Sequence, residues 1–306
     1  MRTWLRNMPE LPDLSVYLDH LNRLTRGDTL EAIRLASPFV LRTVNPAIET
    51  LQGRPVQGWH RIAKQLVVAL NGEYFLVIHL MRSGRLKWQP RSHSLQPNPR
   101  RSGLAALDFP RGSLLYTEAS KKKRASLRLV QGRADLAQLD PGGLDALGCD
   151  LADFRARLCA NNHTLKRALT DQRVIAGIGN AYSDEIFLRA GLSPFKRAGQ
   201  LKSEEIERLH RSTQRVLSEW IERLGTEAGE TFPRNVTAFH KAMAVHGKYR
   251  SPCPVCETPV QRIVYAENEA NYCPTCQTGG RILADRSLSR LLKDTWPKRV
   301  EDLENF

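Results

Sequence analysis

Four cysteines in two pairs, Cys253-Pro-Val-Cys256 and Cys273-Pro-Thr-Cys276, stand sixteen residues apart near the end of this 306-residue chain. Each CxxC holds two thiols on one tight turn, and two such turns meet the four corners of a tetrahedral zinc site. The stretch between them is long enough for one β-hairpin. A redox thiol pair needs only a single CxxC, so Cys253, Cys256, Cys273 and Cys276 are read as ligands of one structural Zn2+. Four protein ligands leave no open coordination position, so this module binds or positions and does not catalyse. Metal binding supplies much of its folding free energy, on the order of 10 kcal/mol. Cys149 and Cys159 lack such partners and read as ordinary thiols.

The formal net charge of +14 favours a polyanionic partner, most often nucleic acid. With 41 % hydrophobic and 25 % charged residues the composition is that of a globular protein, and the length suffices for two domains. No stretch approaches the ~18 apolar residues of a membrane span. The opening MRTWLRN is positively charged but has no apolar core, so it is not read as a secretory signal. The expectation is a cytoplasmic, nucleoid-associated monomer with reduced thiols and no membrane partner.

Along the chain the pattern changes once. A helix is expected over Pro12–Arg26, where Leu14, Leu18 and Leu21 recur at helical spacing and Gly27 closes it. Apolar runs follow at Gln65–Leu70 and Tyr74–Leu80 around the hairpin signal Asn71-Gly72. Ala105–Phe109 and Ser113–Glu118 flank the turn Pro110–Gly112, and Ala125–Val130 closes the set. These strands predict an antiparallel meander closing into a sandwich, with the Pro- and Arg-rich Gln89–Gly103 as an exposed loop. Asp140-Pro-Gly-Gly143 breaks the pattern as a linker. Beyond Asp150 the chain reads as helical, with Phe154/Leu158 and Leu165/Leu169 on buried faces. A long amphipathic helix carries Ile206, Leu209, Thr213, Val216, Trp220 and Leu224, with Ser203 as N-cap. The fold class is therefore α+β. An N-terminal β-sandwich with a flanking helix spans 8–140, a helical domain 150–240, the zinc finger 245–280, and an unassigned tail 281–306.

Within the helical half, Gly177-Ile-Gly-Asn180 is a tight turn that places Asn180 to N-cap a helix from Ala181. Backbone N–H groups at such a terminus bind phosphate, and Lys166 and Arg167 lie nearby in sequence. The string Asp171-Gln-Arg…Gly177-Ile-Gly-Asn-Ala-Tyr182…Glu185, followed by the CxxC-x16-CxxC-Gln277 finger, resembles the helix–two-turn–helix signature of the formamidopyrimidine-DNA glycosylase/endonuclease VIII family. Met8-Pro-Glu-Leu-Pro-Asp13 is similar to that family's opening. The resemblance runs from about Met8 to Gln277.

The resemblance implies an enzyme acting on double-stranded DNA with damaged bases or abasic sites: a glycosylase with AP lyase activity. It implies that the initiator Met is removed, so that Pro9 becomes the N-terminal secondary amine. The chemistry supplies a reason. The nucleophile must attack C1′ as free amine; at pH 7 a lysine is less than about 0.1 % free base, an α-amine about 10 %. As written, Pro9 is internal, and the reading requires translation to start at Met8. The resemblance further assigns Glu10 as the acid/base that protonates the opening sugar, and Lys64 as the lysine assisting base departure and binding the adjacent phosphate.

Flipping the nucleotide costs a few kcal/mol, and the family fills the vacated space from two loops. Here the first reads His79-Leu-Met-Arg-Ser-Gly84 in place of HLGMSG, so Met81 or Arg82 takes the wedge position. The second is replaced by Glu118-Ala-Ser-Lys-Lys-Lys-Arg124, whose Lys122 and Lys123 suit phosphates but offer no aromatic wedge. The finger position usually held by an Arg is Asn268, with Arg262 or Lys248 as substitutes. Damage specificity stays open among oxidised purine, oxidised pyrimidine and a bulkier lesion. A catalytically silent relative that binds abasic or distorted DNA is the alternative reading.

Overall fold

The structure is a computed structural model, and it describes residues 8–91, 103–120, 122–233, 240–265, 268–285 and 296–305. The chain divides into two compact units. The first contains the described residues up to Pro141 together with the stretch from Trp220 to 233; the second contains 142–219 and everything from 240 onward.

In the first unit, helix α1 (Leu11–Thr25) opens with Pro12 in its first turn and ends before Gly27, whose φ of +84° only glycine takes without strain. Its strands are β1 (Thr29–Leu30), β2 (Ala32–Leu35), β3 (Arg54–Ile62), β4 (Gln65–Leu70), β5 (Tyr74–His79), β6 (Gly84–Pro90), β7 (Gly103–Phe109), β8 (Gly112–Glu118) and β9 (Ser126–Gln131). Among the described residues they form two antiparallel sheets, in the orders β1-β3-β4-β5-β9 and β2-β7-β8-β6. The expected sandwich is therefore present. The alternation along β4 and β5 explains why these strands are apolar throughout. Leu66, Val68, Leu70, Leu76 and Ile78 enter the main core, which also holds Leu107, Leu114, Tyr116 and Leu127. Val67, Phe75 and Val77 point the other way, into a second cluster with Ile62, Val130, Leu136 and Leu139. Leu136 comes from the short helix α2 (Arg133–Ala137), which the sequence reading did not identify. A sheet covered on both faces has no need of polar alternation.

Asn22 pins α1 to β3: its amide donates to the Trp59 carbonyl at 3.0 Å and accepts from the Trp59 N–H at 2.8 Å. The Trp59 indole N–H also donates to Thr25 at 2.8 Å. Phe232 stacks 5.5 Å from Tyr17 and 6.0 Å from His20, and belongs to this core. The sequence reading places the described residues from Trp220 to 233 in a helical domain of 150–240, whereas by contacts they group with the sandwich unit, in whose core Phe232 is buried.

The second unit begins where Asp140-Pro-Gly-Gly143 was expected to break the chain. Gly143 is forced, since a Cβ there would lie 2.2 Å from the Gln172 carbonyl oxygen. Strand β10 (Leu144–Asp145), helices α3 (Leu151–Cys159) and α4 (Leu165–Thr170), strand β11 (Ile175–Ala176), and helix α5 (Asn180–Ala190) follow. Asp150 and Thr164 cap α3 and α4, each accepting a backbone N–H. Helix α6 (Ser203–Ala228) starts at Ser203 itself, so Ser203 is its first helical residue and not its cap. Ile206, Leu209, Thr213, Val216 and Trp220 are buried as expected. Strands β12 (Gln261–Tyr265) and β13 (Asn268–Tyr272) form the antiparallel hairpin predicted between the cysteine pairs, and α7 (Pro274–Thr278) closes the finger.

The tail continues into this unit. The Ile282 N–H donates to the Lys298 carbonyl at 2.9 Å, and Val300 to Gly280 at 2.9 Å. Leu283 N–H donates to the Tyr272 hydroxyl at 2.8 Å, and Val264 N–H on β12 to the Asp285 carboxylate at 2.9 Å. The tail is thus hydrogen-bonded to the finger. No helix among the described residues is long and apolar enough to cross a membrane.

Candidate active site and nucleic-acid interface

Pro9 and Glu10 are both buried at the start of α1. Glu10 is the N-cap: its carbonyl accepts the Leu14 N–H at 2.9 Å, and its own N–H donates to the Asp13 carboxylate at 2.8 Å. The first turn of α1 thereby fixes the backbone of the Pro9-Glu10 pair. Tyr17, one turn further along, donates its hydroxyl to the Leu86 carbonyl at 3.5 Å and holds the helix against β6.

Lys64 does not begin a strand. It sits in the two-residue turn Ala63-Lys64 that joins β3 to β4, with Ile62 paired to Gln65 across it. Ala63 takes φ +49°, the left-handed conformation such a turn demands. The sequence offered no Asn-Gly or Asp-Gly signal here, so the hairpin passed unseen. Lys64 is half-buried, and its charge reaches His79 at the end of β5. Burial first, then the positive charges of Lys64 and Arg128, push the His79 imidazole down to about 4, so it is neutral at pH 7. Arg128 on β9 is a member of this cluster that the sequence reading missed. It has no motif of its own, and only the pairing of Val77 with Arg128 across β5 and β9 brings it in.

His79 also anchors the loop that carries Met81 and Arg82. Its Nδ1 accepts the Met81 N–H at 3.1 Å, and its carbonyl accepts the Tyr116 hydroxyl at 2.7 Å. Met81 has φ +52°. The family's HLGMSG pattern places glycine at this position, and a methionine here costs roughly 1–2 kcal/mol of backbone strain. Gly84 closes the loop, its N–H bonded to the Leu80 carbonyl at 2.8 Å; a Cβ would lie 2.2 Å from that oxygen. Arg82, next after the strained residue, is half-buried.

The loop after β8 is built on Glu118, 2 % exposed, whose carboxylate accepts the Arg124 and Ala125 N–H groups. Lys123 Nζ turns back to the Glu118 carbonyl at 2.5 Å, whereas the Lys122 side chain is exposed. Lys121 lies outside the described residues, as does most of the expected loop Gln89–Gly103; its first two residues, Gln89 and Pro90, are in β6.

In the second unit, the turn Gly177-Ile-Gly-Asn180 is shaped by Gln172. The Gln172 side-chain oxygen accepts the Gly177 N–H at 2.8 Å and its amide donates to the Ile178 carbonyl at 2.8 Å. Gly177 has φ +92°. Asn180 does not cap a helix from Ala181: α5 starts at Asn180, and Gly179 stands at the N-cap.

Lys166 is the clearest correction. Expected beside phosphate, it is 3 % exposed and pairs with Asp184 at 2.5 Å while donating to the Asn180 carbonyl at 2.7 Å. On α4 it is buried along with Leu165, Ala168 and Leu169, so most of this short helix is enclosed. Asp184, fully buried, also meets His246 Nδ1 at 2.8 Å and the Asn271 N–H at 3.1 Å. Burial alone would push the Asp184 carboxyl up, but the Lys166 ammonium and the His246 ring more than reverse this and hold it below its ordinary range. Glu185 beside it accepts the N–H groups of Ala244, Val245 and His246, and its carboxyl is pushed up by burial. Through this network the turn bearing Asn180 and the finger strand β13 share one buried anion. Arg167 stays on the exposed side of α4.

The sulfurs of Cys253, Cys256, Cys273 and Cys276 all lie within 4.8 Å of one another, with Cys256 Sγ 3.4 Å from those of Cys273 and Cys276. A Zn–S distance of about 2.3 Å implies tetrahedral edges of about 3.8 Å, so the cluster fits zinc with minor adjustment. Burial pushes the Cys273 thiol up, and the Cys276 thiol up to about 11, so a divalent cation is what would make these groups thiolates at neutral pH. Gln277 follows the fourth cysteine for a reason: its oxygen accepts the Cys273 N–H at 2.7 Å and its amide donates to the Leu192 carbonyl at 2.9 Å, tying the finger to the helical part.

Three sequence-family models match in order along the chain. The formamidopyrimidine-DNA glycosylase N-terminal domain matches residues 8–133, the formamidopyrimidine-DNA glycosylase H2TH domain 143–231, and the zinc finger found in these enzymes and in isoleucyl-tRNA synthetase 250–279. A formamidopyrimidine-DNA glycosylase of Thermus thermophilus is 34 % identical over 284 residues, covering 89 % of this chain and all of that one. A formamidopyrimidine-DNA glycosylase-like protein of Mycobacterium tuberculosis is 43 % identical over 151 residues, 49 % of this chain and 94 % of that protein. Among solved structures, the Lactococcus lactis enzyme in complex with abasic-site DNA superimposes with a TM-score of 0.76 at 25 % identity, over 88 % of this chain and 99 % of that one. The sandwich with its buried Pro9-Glu10 start, the Gln172-shaped glycine turn and the four-cysteine finger thus occur in the order those relatives share, and the chain belongs to the formamidopyrimidine-DNA glycosylase family.

Proposed function

We propose that this chain excises damaged bases from duplex DNA and cuts the strand at the resulting abasic site, as a glycosylase with AP lyase activity in base excision repair. The observation that carries the reading is the Pro9-Glu10 pair, buried and fixed by the first turn of α1 in the domain that matches the family's N-terminal model. With Met8 as the start and removed, the Pro9 nitrogen is a secondary amine. It attacks C1′, the base departs with a proton, and the product is an iminium that is charged at any pH. Glu10 delivers a proton to the ring oxygen as the sugar opens. The iminium then accepts the electron pair released when C2′ loses a proton, and the C3′–O bond to phosphate breaks.

Lys64 on its β-turn is the cation for the phosphate beside the lesion, and the neutral His79 holds the loop behind it. Arg82, which follows the left-handed Met81, is the side chain that enters the space left by the flipped nucleotide. Lys122 and Lys123 meet phosphates, with Lys122 the more available of the two. Asn180 and the first N–H groups of α5 form a further phosphate site.

N-terminal sequencing of the native protein should begin at Pro9. Borohydride reduction on abasic-site DNA should trap a covalent adduct on that residue, and Pro9→Gly should lose base excision far more than DNA affinity. If the polypeptide retained its first eight residues and stayed fully active, another group would be the nucleophile. Absence of any trapped adduct, with abasic DNA still bound, would identify a silent binder.

A further inference from the structure

Between the finger hairpin and the C-terminal segment lies a chamber of about 550 Å3, within the ~300–1,000 Å3 range of small-ligand sites. Nearly half its wall comes from residues beyond 279, where the match to the zinc-finger model ends. The chamber serves neither the cysteine cluster nor the Pro9-Glu10 pair.

Its lining combines exposed cations with buried groups. The Arg262 guanidinium sits 4.4 Å above the Tyr249 ring and that of Arg250 lies 5.4 Å from the same ring. Arg250 is exposed and open to an anion, whereas the Arg262 side chain, 44 % exposed, has its Nη1 3.7 Å from the Glu269 carboxylate and shares any bound anion with that pairing. The lining also holds Tyr272, fully buried and held by its hydroxyl to the Leu283 N–H, and the half-buried Trp296. The carboxylate in the wall, Asp285, is 2 % exposed and bonded to the Val264 N–H. An anion is therefore repelled by Asp285 and attracted by the exposed Arg250, while a planar ring finds the Trp296 indole. A phosphate tethered to a flat, hydrogen-bonding ring has this polarity, which is the pattern by which proteins hold unpaired nucleotides.

We propose that this chamber is a nucleotide site: an unpaired base stacks on the half-buried Trp296, and its phosphate rests on Arg250 with Arg262 beside it. The same chemistry serves a free nucleotide or one nucleotide of a single strand. The site is independent of the excision reading, because it is detected by binding alone.

The test titrates the full-length zinc-loaded chain with dTMP, with the tetramer (dT)4, and with a tetramer of abasic deoxyribose phosphate of equal charge. Saturation by dTMP alone identifies a free-nucleotide site; tighter binding of (dT)4 than of the abasic tetramer identifies a strand site. Trp296→Ala should weaken the binding ligand about tenfold or more, as expected for loss of one stacked base. Arg250→Gln, an exposed change that leaves the packing alone, should weaken it and lower the salt slope by about 0.7. A tetramer bearing 5-iododeoxyuridine should photo-crosslink to the peptides of Tyr249, Tyr272 or Trp296. The proposal is overturned if neither dTMP nor (dT)4 binds, if the abasic tetramer binds as well as (dT)4 with no dTMP binding, or if every crosslink maps elsewhere. Zinc content of each variant, measured by chelator release, verifies folding; if Trp296→Ala loses its zinc, Arg250→Gln and the crosslink decide.

Discussion

Replacing Lys166 by Met tests the electrostatic centre of the second unit. The ammonium is the strongest partner of a fully buried carboxylate, 2.5 Å from Asp184 Oδ1 with 3 % of its side chain exposed. Removing it leaves Asp184 with His246 and Asn271 as hydrogen-bonding partners, and removes the donor to the Asn180 carbonyl. Loss of one partner of a buried ion pair costs about 3–5 kcal/mol, because the remaining charge keeps its desolvation penalty. Urea unfolding followed by zinc release to a colorimetric chelator reports the unit that carries the cysteines, and its midpoint should drop accordingly. Adding Asp184→Asn to Lys166→Met should recover about 1–2 kcal/mol, since the orphaned charge is then gone. The pair also has a pH signature. The Asp184 carboxyl lies below its ordinary range, so its stabilisation is fully present above about pH 4 and is lost as pH falls through the lower folded value. DNA binding gives the opposite expectation from the sequence reading: the salt slope of Lys166→Met should equal that of the parent. A destabilisation under about 1 kcal/mol, or a slope lower by about one, would put Lys166 on phosphate and refute the buried-pair argument.

Other outcomes follow from the first unit and the finger. His79 is held neutral with its value near 4, so the folded state binds fewer protons than the unfolded one between about pH 6.5 and 4, and stability falls as pH drops through that window. The loss should approach about 3 kcal/mol by pH 4, and His79→Gln should flatten it in urea titrations across that range; an unchanged slope would mean the imidazole is not desolvated. Met81→Gly should raise the stability of the sandwich by up to about 1 kcal/mol in thermal unfolding by relieving the left-handed strain, less the added flexibility of glycine in the unfolded chain. A destabilised Met81→Gly would show that the methionine side chain, and not its backbone, decides that loop. Chelation of zinc should abolish the β12–β13 hairpin signal in hydrogen exchange while leaving the sheets of the first unit protected; retained protection of the finger would remove the metal from its folding.

Much of the site was legible locally. The four cysteines needed only their spacing, since a CxxC turn is a local object and two of them complete a zinc tetrahedron. The Pro9-Glu10 start was singled out by its resemblance to the family's opening and the Gly177–Asn180 turn by its glycines; in the fold each is shaped by a side chain within a few residues, Asp13 for one and Gln172 for the other. The β4 and β5 runs gave the sandwich, although α2, β2, β3 and β6 went unseen. Those elements are short or polar on one face, and their stability comes from partners distant in sequence, such as Arg34 with Asp108 at 2.6 Å.

Sequence alone thus determined the metal site, the class of fold and the order of the motifs, each of which is written in spacing and local backbone chemistry. Tertiary structure decided the charge states and the reach of individual cations. Lys166 looks the same on paper as any basic residue beside a phosphate turn, yet α4 turns it inward to Asp184. Lys64 and Arg128, far apart in the chain, act on one imidazole because β3–β4 and β5–β9 pair in register. The same holds for the tail, whose fate as the wall of a chamber depended on hydrogen bonds to Tyr272 and Val264. Burial and partnership are properties of packed surfaces, and a cation's spacing along the chain does not disclose whether it will meet water, a phosphate or a carboxylate.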